Sequence, residues 1–175
     1  MNTNRYILGT MKHPAAIATD HLFTECTIRF TRRSGPGGQN RNKVETAVVL
    51  THVPTGLCAE ANERRSQAEN RRMALFRLRL MLAIEVRTSP PEELPALWAS
   101  RRRTGLARTN PEHDDFPTLL ALALDVLAAH DWDVKRAAEH LGCSASQLVK
   151  LLANEPRALR LLNAARSERG LHPLK

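Results

Sequence analysis

A chain of 175 residues can hold one ordinary domain, or a small domain with a helical appendage, and is long enough to bury a real core. Its 26 Lys and Arg against 18 Asp and Glu leave a net charge of +8 and a pI near 10.2, a balance that favours a polyanionic partner. Composition argues against a membrane-spanning helix, a signal peptide, and, because Cys26, Cys58 and Cys143 are scattered without CxxC spacing, a zinc site; a cytoplasmic protein with reduced thiols and no cofactor is expected.

Residues 1–18 are mixed in character and expected to be partly loose. Thr19 to Phe23 can form a helical turn capped by Thr19 or Asp20. Cys26, Ile28 and Phe30 alternate with Thr27, Arg29 and Thr31, the pattern of a half-buried strand. A glycine-rich loop follows, Ser34-Gly35-Pro36-Gly37-Gly38-Gln39, running into Asn40-Arg41-Asn42-Lys43. Two adjacent glycines permit positive φ and close approach of another molecule to the backbone. Thr46 to Val53 is rich in β-branched residues and reads as a strand, Pro54-Thr55-Gly56 as a turn, and Leu57 to Ala61 as the returning strand of a hairpin. A long helix is predicted over 64–87, with two apolar stripes. Arg65, Arg72 and Arg79, spaced by seven, are expected on one face of it, either as a solvated basic surface or as contacts to RNA phosphates.

Ser89-Pro90-Pro91 ends that helix, and residues 89–116, with Trp98 and Arg101-Arg102-Arg103, read as a basic, proline-containing linker. From Pro117 to His130 nearly every residue is Leu, Ala or Val, a helix buried almost all round. Asp133 to His140 and Ala145 to Ala153 form two short helices, with Leu141-Gly142 at the turn and Ser144 as N-cap of the second; Pro156 starts a last helix ending near Gly170. The spacing of Ala137-Ala138, Leu141-Gly142, Ser144, Leu148 and Leu152 resembles the helix-turn-helix of bacterial DNA-binding regulators. Its exposed positions, Ala145, Ser146, Gln147 and Lys150, carry one positive charge, so packing or docking is favoured over DNA binding. The positive charge is concentrated earlier: Cys26 to Arg87 holds twelve basic and five acidic residues, against eight and six from Phe116 onward.

Four blocks in order carry a family resemblance: Arg33-Ser34-Gly35-Pro36-Gly37-Gly38-Gln39, Asn42-Lys43-Val44-Glu45-Thr46-Ala47-Val48, Leu50-Thr51-His52-Val53-Pro54-Thr55-Gly56 and Arg65-Ser66-Gln67. The stretch from Cys26 to Arg87 resembles the catalytic domain of class I peptide-chain release factors, and within that group the short, codon-independent ribosome-rescue hydrolases. The resemblance implies hydrolysis of the peptidyl-tRNA ester in the peptidyl-transferase centre, with the ribosome's large-subunit rRNA and the P-site peptidyl-tRNA as partners and a glutamine methyltransferase acting on Gln39. It assigns catalysis to Gly37, Gly38 and Gln39. The Gln39 backbone N–H would stabilise the developing oxyanion, and the glycines would present it. RNA contacts are implied for Arg33, Arg41, Asn42, Lys43, Arg65, Ser66, Gln67, Arg72 and Arg79. For Asn42 and Ser66, local capping of a helix start is an equal alternative. Glu45 and Glu60 read as solvated or salt-bridged, and His52 as a satisfied strand histidine.

Pro36 replaces the alanine of many full-length release factors, as it often does in the short rescue proteins. A stop-codon-reading region is not expected, since only about 25 residues precede the first strand. The apolar, helical C-terminus departs from the basic tail of short rescue factors. The expected architecture is α+β: a small, mainly antiparallel sheet packed on a long helix with a protruding Gly-Gly-Gln loop (1–88), the linker (89–116) and a helical C-terminal unit resembling a helix-turn-helix (117–175). The alternative function is a non-catalytic ribosome- or nucleic-acid-binding regulator that uses that C-terminal motif.

Overall fold

The structure, a computed structural model, describes residues 6–8, 12–32 and 45–174. In chain order it contains strand β1 (Tyr6–Leu8), helix α1 (Thr19–Thr24), strands β2 (Cys26–Thr31), β3 (Ala47–His52) and β4 (Cys58–Ala61), helix α2 (Gln67–Glu85) and strand β5 (Val86–Thr88). Helices α3 (Ala96–Thr104), α4 (Phe116–Ala129), α5 (Val134–His140), α6 (Ala145–Ala153) and α7 (Pro156–Ser167) follow. This is the expected α+β class, with a three-stranded antiparallel sheet, one long helix and a helical C-terminal part. The chain divides into two compact units, Ala16–Leu82 and a second made of residues up to Ala15 together with those from Ala83 onward.

In the first unit the strand order is β2-β3-β4, with Ile28 opposite Leu50 and Phe30 opposite Val48 on one side, and Leu50 opposite Ala59 and Val48 opposite Ala61 on the other. The central strand is flanked on both sides, and Ala47 to Leu50 are buried. The half-buried reading of β2 is corrected. Its bounds are as expected, but Ile28 and Phe30 stay 36% and 43% exposed, because among the described residues β2 has a neighbour on one side only. The β3–β4 turn closes through the His52 carbonyl, which accepts from Gly56 N–H at 2.8 Å, with Gly56 at φ +68°. That left-handed position is where the glycine is needed. The expected Thr19 or Asp20 cap of α1 is not formed: Ala18 is the N-cap residue and contributes no side-chain hydrogen bond.

In the second unit, β1 pairs in parallel with β5, Tyr6 against Val86 and Leu8 against Thr88. Both were missed in the sequence, where residues 1–18 read as loose and the helix as continuing to Arg87. The helix stops at Glu85, and Arg87 caps it by donating from Nη2 to the carbonyls of Ala83 and Ile84. The guanidinium also donates from Nη1 to Asp125 Oδ1 on α4 at 3.3 Å, while Thr88 donates to the same carboxylate from its N–H (3.1 Å) and hydroxyl (2.6 Å). Arg87 and Asp125 are both buried. Burial outweighs their attraction, pushing Asp125 up to about 6 and Arg87 down to about 10. Below them His13 accepts from Ala15 N–H at Nδ1, so Nε2 bears the proton and donates to Val86 O at 3.2 Å. Burial, and then the Arg87 charge, hold His13 down at about 4.

Helix α4 is buried on nearly every side from Phe116 to Leu127, as its Leu/Ala/Val composition predicts. Helix α6 takes the expected bounds, and α5 starts one residue later than expected, after Asp133. Asp133 accepts from the N–H groups of Lys135 and Arg136, and Ser144 forms a reciprocal capping box with Gln147. Helix α3 braces the turn between them. Buried Trp98 donates from Nε1 to Leu141 O at 2.9 Å, and Arg102 donates to Gly142 O at 3.1 Å. The segment read as a basic linker therefore spends Arg102 on a helix terminus and Arg101 on Asp115.

Asp125→Ala leaves Arg87 buried without a counter-charge and is expected to cost about 3–5 kcal/mol in urea unfolding at pH 7. His13 titrates lower in the folded chain than in the unfolded one, so the unfolded chain binds the extra proton between about pH 6.5 and 4. Its contribution is present above that window and lost as the pH falls, by up to about 1.4 kcal/mol per pH unit. Asp125 acts with the opposite sign, its raised value making its contribution fade as the pH rises through about 6. The test is therefore a difference: the unfolding free energy of the wild type minus that of His13→Gln is expected to shrink on acidification from pH 6.5 to 4.

Candidate functional site

The β2–β3 pairing sets Thr31 opposite Ala47, so the two strands that flank residues 33–44 end side by side. Arg33, Gly37, Gly38, Gln39, Arg41, Asn42 and Lys43 lie in that segment, outside the described residues. The residues that flank it, Arg32 on one side and Glu45 and Thr46 on the other, are described.

The exit is held by the first turn of α2. Positions 67 and 70, three apart, share a helix face. Gln67 donates from Nε2 to the carbonyl of Glu45, and Asn70 donates from Nδ2 to the carbonyl of Thr46 at 2.7 Å. The same Asn70 amide grips the peptide groups around Arg64: Nδ2 donates to Arg64 O at 2.8 Å, and Oδ1 accepts from Arg64 N–H at 2.9 Å. Asn70 is fully buried, so each of these bonds offsets a desolvation cost of about 1–3 kcal/mol that an unmet polar group would carry. Arg32 and Glu45 approach to 3.4 Å, but both are about half exposed or more, and such pairs contribute roughly 0–1 kcal/mol. Asn70 was missed in the sequence. The available signal was a weak helix former one turn inside a helix start, a position that Asn tolerates when its side chain is hydrogen-bonded.

Ser66 Oγ accepts from Glu69 N–H at 3.4 Å, a local capping bond at the start of α2. The expected common face of Arg65, Arg72 and Arg79 does not form. Arg65 precedes α2, Arg72 is exposed on it, and Arg79 is buried. Exposed basic side chains in this unit are instead Arg29, Arg32, Arg64, Arg65, Arg71 and Arg72, with Arg71 stacked 4.1 Å above the Phe23 ring. Arg77 is tied down, donating to Glu60 O and to Glu63, and that hydrogen bond holds the Glu63 carboxyl below its ordinary value.

His52 is buried with both ring nitrogens occupied. The Glu25 carboxylate accepts from Nε2 at 3.1 Å, and Thr55 Oγ1 lies 2.8 Å from Nδ1 while itself accepting from Leu57 N–H. It locks the hairpin turn. Burial, followed by the Glu25 charge, pushes the Cys26 thiol up to about 11, so it stays protonated at neutral pH and is no nucleophile. Among the described residues no group of three or more His, Cys, Asp or Glu is placed to hold a metal ion, and no helix is long and apolar enough to cross a membrane.

The family model of the RF-1 domain matches residues 17–110, more than half of the chain. The chain belongs to the RF-1 domain family. The match runs beyond the four sequence blocks to include β5 and α3. A chloroplastic peptide chain release factor of Arabidopsis thaliana is 49% identical over 84 residues, 43% of this chain and 18% of that protein. An uncharacterised mitochondrial peptide chain release factor-like protein of Saccharomyces cerevisiae is 37% identical over 97 residues, 51% of this chain and 63% of its own length. Peptide chain release factor 2 of Corynebacterium diphtheriae is 37% identical over 89 residues, 49% of this chain and 24% of that protein. The chain thus spans less than two thirds of the length of each of these relatives.

Within the RF-1 domain, Ser66→Ala removes the α2 cap and is expected to lower stability by about 1 kcal/mol, read from the shift of the denaturant midpoint at unchanged slope.

Proposed function

We propose that the protein hydrolyses the peptidyl-tRNA ester on the ribosome without reading a stop codon, releasing the peptide from stalled complexes. The observation that carries this reading is the intact Gly37-Gly38-Gln39 within an RF-1 domain match. Its codon-independent form is supported by Pro36, the residue often found in the short rescue proteins. Water adds to the ester carbonyl carbon, and negative charge gathers on the carbonyl oxygen facing the Gln39 N–H. Collapse breaks the bond to the ribose oxygen, which takes up a proton. A single preorganised donor of this kind is worth roughly 10²–10³ in rate. No protein general base is required, in keeping with the occupied nitrogens of His52 and the protonated Cys26. The chemistry is assigned to residues 1–88 and targeting to 117–175. Arg33, Arg41, Asn42 and Lys43, with exposed Arg65 and Arg72, serve as rRNA contacts, and Gln39 is the substrate of a glutamine methyltransferase. Free Cys26, Cys58 and Cys143 are compatible with a reducing compartment such as the cytoplasm.

The second reading, a non-catalytic ribosome- or nucleic-acid-binding regulator, is favoured by the α5–turn–α6 geometry. Against it, the turn carbonyls are taken by Trp98 and Arg102, and the polar groups at the start of α6 are spent in the capping box.

The test is release of labelled peptide from ribosomes stalled on truncated mRNA, beside a stop-codon complex. The wild type is expected to release from both. Gln39→Pro removes the N–H and should lose about 10²–10³ in rate, whereas Gln39→Ala keeps it and loses less. Equal loss in both variants defeats the backbone-donor account, and salt-sensitive binding to duplex DNA without binding to ribosomes selects the second reading.

A further inference from the structure

Asn70 and Gln67 stand together in a way that goes beyond fold maintenance. Two carboxamides on one helix face take two consecutive carbonyls, Glu45 and Thr46, at the point where the chain enters β3. One of them, Asn70, is wholly buried and also holds both the N–H and the carbonyl of Arg64, so a single side chain joins the start of β3 to the lead-in of α2. Among the described residues, the opposite flank meets Glu45 through Arg32 in a solvent-exposed pair. Glu45 and Thr46, the first described residues after position 44, are thereby tied to the 19-residue helix α2.

We propose that Asn70 and Gln67 are positioning residues that orient the strand leading out of the Gly37-Gly38-Gln39 segment, and so set the rate of ester hydrolysis rather than affinity for the ribosome. This rests on the hydrolase reading above. The physical argument is one of leverage. The Gln39 N–H can act only when aimed at an oxygen fixed by the ribosome, and a displacement of about 1 Å in such a group costs on the order of 10² in rate. Contacts made equally in the ground and transition states change affinity instead, so loosening a support that touches no substrate appears in kcat. Gln67 gives the sharper test. An rRNA contact through its amide would weaken ribosome binding when removed, whereas a grip on Glu45 leaves binding alone and slows release.

The experiment compares wild type, Gln67→Ala and Asn70→Asp by two readouts. Asn70→Asp is isosteric, keeps the acceptor for Arg64 N–H and removes both donors. The first readout, on the free protein, is the carbonyl ¹³C shift of Glu45 and Thr46 by NMR. The second is the peptide-release rate at saturating protein, with the half-saturating concentration on stalled ribosomes. Gln67→Ala is expected to move the Glu45 carbonyl and Asn70→Asp the Thr46 carbonyl. Release should slow about tenfold in the first and towards 10² in the second, with half-saturation unchanged within about twofold. Should Asn70→Asp fail to fold, Gln67→Ala, at an exposed position, decides alone. Unchanged release with moved carbonyl shifts, or a raised half-saturation at unchanged rate, overturns the positioning role while the hydrolase reading stands. Absence of release by the wild type overturns both.

Discussion

A buried carboxamide with no water to turn to must find its partners in the protein, and at Asn70 that requirement ties together the β3 and α2 lead-ins of the first unit. The partners are backbone groups from two separate stretches, Thr46 before β3 and Arg64 before α2. Neither stretch belongs to a helix or strand, so neither has a ladder to define its path. The amide substitutes for that ladder. Because net hydrogen-bond energies are small and the cost of leaving such a group unmet is larger, the bond acts more as a constraint on geometry than as a source of stability. The start of β3 and the lead-in of α2 are held together by this residue.

The second unit repeats the theme with charge. Arg87 satisfies the last carbonyls of α2, and Asp125 compensates Arg87 and Thr88 from α4. Burial drives both ionisable groups towards neutrality, a sign that desolvation exceeds the attraction between them. The pair ties α4 to β5. Helix α3 does comparable work at the α5–α6 turn, where Trp98 and Arg102 meet carbonyls that the end of α5 leaves unpaired.

Charge is distributed to match this division. Basic residues are concentrated between Cys26 and Arg87, and several of them, Arg64, Arg65, Arg71 and Arg72, remain exposed around the start of α2. Others of the same type are consumed inside: Arg77 on Glu60 and Glu63, Arg87 on Asp125. Counting arginines in a sequence therefore overstates the surface available to a polyanion, and Arg79, buried although spaced like its neighbours, shows why.

What the sequence determined by itself was local. The bounds of β2, the Pro54-Thr55-Gly56 turn, the cap Ser144 and the Pro156 start of α7 are set by contacts within a few residues, so residue type and spacing suffice to read them. The ordered motif blocks were equally legible, because their chemistry depends on backbone freedom and residue identity at adjacent positions. Only the tertiary structure decided the rest. The β1–β5 pair joins residues eighty apart in the chain, His13 finds its partner at Val86, and Asn70 reaches back to Thr46. The exposure of Ile28 and Phe30 and the burial of Arg79 likewise depend on which neighbour a side chain meets, not on its own pattern. Long-range partners cost loop-closure entropy and leave no periodic trace, so they are settled when the chain packs, by the need of each buried polar group to be met.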